Sequence, residues 1–216
     1  HRGGQEKEYV YDAAGNLTHE YDELDRLTYH EYDWASREKG VTYAKGTIDE
    51  YARSFRYDGI GRLEEEWDQR GHEYGTIYTY DGAGRLKTVT RAPGTDDASY
   101  QEFEYDEVGN QTWEIGPRTD GAGAHYRIHH EYDAVNQLVR TTDAAGYVTE
   151  YEYDEAGNLT DTRLFGDRGD DRLVEHRYDG NNRRVLTIGA GGGQEWIEYD
   201  AVGNVLTVRG PRLQWP

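Results

Sequence analysis

This sequence predicts an all-β chain of tandem β-hairpins in an antiparallel sheet, on three observations. A ten-residue unit, fullest as YEYDEAGNLT at residues 151–160, recurs ten times with its Asp at positions 12, 22, 33, 58, 81, 106, 133, 154, 179 and 200, each preceded by Tyr. Self-similarity of this kind marks a repeat architecture. The residues leading into each Tyr alternate with the two-residue period of a strand. No segment sustains a 3.6-residue apolar period with caps, so helices are not expected.

The unit explains itself position by position. Two residues before the Tyr stand Tyr9, His19, His30, Phe55, Tyr78, Phe103, His130, Tyr151, His176 and Ile197, so nine of ten copies place a ring there. Positions two apart share a strand face. The ring and the Tyr thus line one buried face, while the residue between them, such as Glu152 or Arg56, faces water. The Asp starts a turn by bonding backbone two residues on, and the fourth residue closes it at positive φ. Gly15, Gly61, Gly84, Gly109, Gly157 and Gly203 take that place, with Asn136, Asn182 and Asp25 as tolerated substitutes. Ser36 breaks the rule in a copy that also carries Glu38 where an apolar residue belongs, so residues 30–39 read as a degenerate unit. A type I turn with a G1 bulge would set Tyr153 opposite Leu159 on one face, a cross-strand pair holding each hairpin together.

The residues expected to carry the repeat are Tyr11, Asp12, Gly15 and Leu17; Tyr57, Asp58, Gly61 and Leu63; and Tyr80, Asp81, Gly84 and Leu86. They continue as Tyr105, Asp106 and Gly109; Tyr153, Asp154, Gly157 and Leu159; and Tyr199, Asp200, Gly203 and Val205. A polar lead spans residues 1–8, the array residues 9–209 and a tail residues 210–216. The first three Asp residues are 10 and 11 apart, enough for hairpins with no intervening half-unit, and from Asp58 the spacing widens to 21–27. Each longer unit holds two strands and two turns, as in Ile77–Asp81 and Leu86–Arg91. Insertions at Gly40–Ile48, Ala92–Ala98, Gly116–Ala124, Gly166–Arg172 and Gly189–Gln194 read as loops along the rim.

The pattern Y-x-Y-D-x-x-G-[RN]-L, with a weaker D-x-x-G between copies at Asp68–Gly71 and Asp143–Gly146, resembles the RHS or YD-repeat family from about Tyr9 to about Arg209. That family includes bacterial Rhs polymorphic toxins, shell-forming components of insecticidal toxin complexes and the animal teneurins. The resemblance implies an extended, curved or spiralling sheet, a partial shell or solenoid, with an enclosed cargo or toxin domain in the bacterial cases. It also implies an extracellular or secreted setting and more YD-repeat chain as partner, in one longer polypeptide or by self-assembly.

Composition bounds the alternatives. Leu, Ile, Val and Phe make up 34 of 216 residues and the net charge is −19, values that on their own suggest disorder. Twenty Tyr and five Trp in ordered periodicity argue otherwise, because large rings bury much apolar area while tolerating a wet edge. The acidic balance and scattered Arg, with only four Lys, exclude nucleic acid as a partner. There is no Cys, so no disulfide or thiolate site. No Met is present either, which suggests a processed piece or a part of something longer. No apolar run is long enough to span a bilayer.

Candidate chemistry is sparse. His125, His129 and His130 sit close in sequence, yet His19, His30, His130 and His176 occupy the ring position, where packing accounts for them. Asp96-Asp97 and Asp167–Asp171 lack EF-hand spacing, and Arg168-Gly169-Asp170 is a tripeptide of low information. Gly189–Gly193 lacks the Lys and helix of a phosphate loop. Carboxylates begin turns rather than form acid–base pairs, and the chain has no Asp-Pro at which family-type self-cleavage would occur, so no catalytic residue, cofactor or metal is assigned. Among Trp34, Trp67, Trp113, Trp196 and Trp215, Trp67 and Trp113 lie beside turns and are candidate glycan contacts, against a default of packing between strands. The reading is a non-catalytic scaffold segment of an exported shell or filament; the alternative is an extracellular module recognising glycan or a cell-surface partner.

Overall fold

A computed structural model describes residues 7–119, 125–166 and 171–210. The chain divides into two compact units, His1–Glu102 and Phe103–Pro216. Arg168-Gly169-Asp170 and Trp215 lie outside the described residues, as do most of the Gly116–Ala124 and Gly166–Arg172 insertions.

Both units are all-β. The first holds β1 (Glu8–Tyr11), β2 (Leu17–Tyr21), β3 (Leu27–Tyr32), β4 (Glu38–Tyr43), β5 (Tyr51–Tyr57), β6 (Leu63–Asp68), β7 (Thr76–Tyr80), β8 (Leu86–Arg91) and β9 (Ser99–Tyr105), the last carrying the boundary. The second holds β10 (Gln111–Thr119), β11 (His125–Tyr132), β12 (Leu138–Thr142), β13 (Val148–Tyr153), β14 (Leu159–Leu164), β15 (Arg172–Tyr178), β16 (Arg184–Ile188), β17 (Gln194–Tyr199) and β18 (Val205–Arg209). Within each unit, every strand pairs antiparallel with the next in sequence. The one helical element described is a 3-10 turn at His72–Tyr74, directly after the Asp68–Gly71 turn.

The Tyr-Asp units are the hairpin turns. Tyr153 pairs with Leu159 and Glu152 with Asp161, so Thr160 is the extra residue of a bulge. The same shift recurs where Tyr57 meets Leu63 and Tyr199 meets Val205. Gly157 N–H donates to the Asp154 carbonyl at 3.0 Å and Asp154 N–H to the Asn158 carbonyl at 3.0 Å, which is the hydrogen bonding of a type I turn closed by a G1 bulge. The fourth residue has positive φ in all ten copies, from 58° at Asp25 and Ser36 to 105° at Gly109. Ser36 therefore does not alter the turn: the degenerate unit folds as the others do.

Two sequence expectations are corrected. Asp22 does not start a third equivalent unit. Antiparallel strands alternate direction, so its turn, between β2 and β3, lies at the rim opposite to Asp12 and Asp33. It is the intervening half-unit, and Asp12 to Asp33 spans 21 residues like Asp133 to Asp154. The Gly40–Ile48 insertion is also shorter than expected, because Gly40–Tyr43 belong to β4. Gly40 faces Ser54 of β5, and a methyl group on it would stand 3.3 Å from the Glu31 carboxylate, so glycine admits a close neighbour inside the strand.

The sheets are thinly covered. Among the described residues, only Val41, Val89, Ile115 and Leu186 are buried apolar side chains, with Glu65 the one buried charge. Most strand residues are half-buried, as are the Tyr before Asp except Tyr11, which is exposed. Stability therefore rests on contacts between neighbouring strands rather than on a central core.

Candidate functional site: the rim of Tyr-Asp turns

Each Asp is committed to its own turn. Asp154 Oδ1 accepts from the N–H groups of Ala156 at 3.0 Å and Asn158 at 2.9 Å, and Oδ2 accepts from Asn158 Nδ2 at 2.9 Å. Where the fifth residue is Arg, its guanidinium replaces the amide, as in Arg62 Nε to Asp58 Oδ2 at 2.7 Å. Asp81 and Asp200 repeat these two patterns with Arg85 and Asn204. Asp12 and Asp106 do so with Asn16 and Asn110. The side-chain donor is the larger influence holding the Asp12, Asp33, Asp154, Asp179 and Asp200 carboxyls below their ordinary range. At Asp58 and Asp81 the backbone N–H of the fifth residue leads. A carboxylate so engaged is a structural acceptor that fixes its own turn.

The Tyr acts across the seam between hairpins. Between β12 and β13 the ladder ends at Arg140 opposite Glu150, two residues short of Leu138. There the Tyr153 hydroxyl donates to the Leu138 carbonyl at 2.9 Å. The same relation joins Tyr32 to Leu17, Tyr57 to Glu38 and Tyr80 to Leu63 in the first unit. It joins Tyr132 to Gln111, Tyr178 to Leu159 and Tyr199 to Arg184 in the second. In each case the ladder stops two residues before the accepting carbonyl. The seam opens at the rim, and the hydroxyl satisfies the carbonyl that the ladder leaves out. Burial pushes the Tyr32, Tyr57, Tyr132 and Tyr153 hydroxyls above their ordinary pKa, so they remain protonated donors.

The fifth residue adds a second staple that the unit-by-unit reading missed. The Arg37, Arg62 and Arg183 guanidinium groups lie 4.8, 4.3 and 4.7 Å from the ring centres of Tyr57, Tyr80 and Tyr199, the Tyr of the next turn on the same rim. These cation–π contacts link one turn to the next along the rim. The alternation of Arg and Asn at the fifth position was the available signal.

Several of the described His and Trp residues pack against neighbouring strands. His130 and His176 Nδ1 each sit 3.1 Å from the hydroxyl of a cross-strand Thr, Thr141 and Thr187, and burial lowers both pKa values. The His72 imidazole lies 4.0 Å from Trp67 and the His129 imidazole 4.1 Å from Trp113, so one face of each indole is covered by a neighbouring ring. Trp34 is 94% exposed but stands alone at a turn tip. Open concavities of 510 and 560 Å³ follow seams of the second unit and are lined by the rim residues themselves, including Arg183 and Tyr199 in one and Asn110 and Asn136 in the other. Among the described residues no helix is long and apolar enough to cross a membrane.

Fold and rim together define a hairpin-repeat protein whose Tyr-Asp residues join one hairpin to the next. Residues 57–96 and 132–168 match the RHS Repeat family, in agreement with the resemblance carried by the Y-D-x-x-G pattern. Among solved structures the chain is similar to one titled as a Tc holotoxin pore of Photorhabdus luminescens with a substitution in TccC3. That match has a TM-score of 0.70 and 20% identity over 94% of this chain and 12% of the other. A TcdB2–TccC3 structure without the hypervariable C-terminal region matches with a TM-score of 0.68 and 17% identity, again over 94% and 12%. A second TcdB2–TccC3 structure gives 0.60 and 14% over 96% and 13%. The chain spans about an eighth of the length of these proteins. No curated protein matches it.

Proposed function

We propose that this chain is a non-catalytic wall segment of an exported YD-repeat shell, one that encloses or presents a cargo domain and continues into more YD-repeat chain. One observation carries the reading: seven Tyr hydroxyls are each spent on a backbone carbonyl of the preceding hairpin, across seven of the seams. The repeated chemistry is that of building a sheet. The match to RHS repeats and the fold shared with TcdB2–TccC3 structures support a shell over a filament. The capped Trp67 and Trp113 weigh against the glycan-binding alternative.

The test is protease protection in a longer polypeptide that contains this segment. A cargo domain should resist digestion while the repeat array is intact and become sensitive when Tyr57, Tyr80 and Tyr153 are changed to Phe together. Equal sensitivity in both would contradict enclosure. Saturable binding on a glycan array, lost in Trp67→Ala/Trp113→Ala, would overturn the scaffold reading in favour of the binding module.

A further inference from the structure

The fourth residue of each rim turn varies with the fifth residue of the turn before it on the same rim. Asn16 Nδ2 donates to Ser36 Oγ at 3.2 Å, and Asn110 Nδ2 to Asn136 Oδ1 at 3.0 Å. Asn158 and Asn182 repeat the latter contact at 3.0 Å. Where the fifth residue is longer, the next fourth residue is glycine. A methyl group on Gly157 would stand 3.2 Å from Gln137 Nε2, and one on Gly61 3.3 Å from Arg37 Nη1. At Gly84 and Gly203 the corresponding distances to Arg62 and Arg183 are 3.6 and 4.0 Å. All seven successive pairs that lie within one unit conform.

The physical cause is reach. A long Arg or Gln crosses to the next turn and lies beside its left-handed residue, where a Cβ would be crowded at Gly157 and Gly61 and would come into ordinary contact at Gly84 and Gly203. Asn stops short, so the next turn supplies a side-chain oxygen to meet its amide. All four residue types tolerate or adopt positive φ here, so turn conformation alone does not choose between glycine and Asn.

We propose that this pair is a matching code that sets which hairpin can follow which. The last described rim turn ends in Asn204, whose Nδ2 donates to Asp200 Oδ2 at 2.8 Å. The hairpin that seats beside β18 therefore carries Asn or Ser at its fourth turn position. The first rim turn of this chain carries Gly15, with nothing beside it that a Cβ would meet. A second copy docked head to tail would present glycine to Asn204 and leave its amide with the Asp200 bond alone, without the cross-turn acceptor that Asn158 finds in Asn182. The occupant is thus a different YD hairpin of the same longer polypeptide, a step that rests on the proposed function; the code within the chain does not.

Two experiments on the full chain separate these parts. In a double-mutant cycle, Asn158→Arg alone should lower the folding equilibrium constant about tenfold and Asn158→Arg/Asn182→Gly should restore most of it. Additive effects would overturn the code. If Asn158→Arg fails to fold, the reciprocal cycle of Arg62→Asn and Gly84→Asn reads the same coupling. For the β18 end, Gly15→Asn gives matched ends and should raise the self-association constant, measured by sedimentation, about tenfold over the natural chain. Equal association of the two would overturn the assignment of the edge while leaving the cycle to stand on its own.

Discussion

Tyr153 donates its hydroxyl to the carbonyl of Leu138, 15 residues earlier in the chain, at 2.9 Å. The bond closes the seam between two hairpins at the point where the β12–β13 ladder has ended. Removing the hydroxyl alone tests its worth. Tyr153→Phe should destabilise the protein by about 1 kcal/mol, since a half-buried carbonyl loses its donor while the ring still packs. Tyr80→Phe should behave alike through Leu63. Denaturant midpoints measure both; no change in either would remove the hydroxyl from the account.

Gly157 has a φ of +83° and lies beside the Gln137 side chain. Gly157→Val meets strain from the left-handed backbone and crowding from Gln137 together, and should destabilise by about 1 kcal/mol or more. Thermal unfolding checks it. A neutral Gly157→Val would mean that the turn relaxes to another type at no cost.

Acid should loosen the array through its turn carboxylates. The Arg26 side chain first, then its backbone N–H, lowers the Asp22 pKa from 3.8 to about 2. Side-chain donors likewise lower Asp12, Asp154 and Asp200. A folded-state pKa below the unfolded value gives stability that is full above the unfolded pKa and is lost as pH falls through the folded one. The melting temperature should therefore hold above about pH 5 and decline toward about pH 2. Asp22→Asn should flatten part of that decline, and an unchanged acid profile in that variant would contradict the assignment.

Much of this was legible because the repeat is local. Tyr153, Asp154, Gly157 and Leu159 each act within one hairpin, so their spacing states the turn, the bulge and the cross-strand pair. The opposite rim of Asp22 was not legible from the unit, since its sequence matches the others and only the count of strands reveals its side. The Tyr hydroxyl contact escaped for a different reason: its acceptor is a backbone carbonyl, which leaves no residue signature. The capping of Trp67 by His72 depends on a 3-10 turn for which the pattern gives no period. The link from Asn158 to Asn182 was present in the letters, 24 residues apart, but becomes visible only once every second turn is known to share a rim.

The central claim is that the array is held hairpin to hairpin by its seams, with no core shared among distant strands. A truncation series read by circular dichroism and denaturant unfolding tests it most directly. Removing residues 189–216 should lower the midpoint and leave the remaining strands folded, further hairpin-wise cuts should weaken the rest stepwise, and residues 7–43 alone should be unfolded. Cooperative folding of residues 7–43 alone, or loss of all structure on removing the last hairpin, would contradict it.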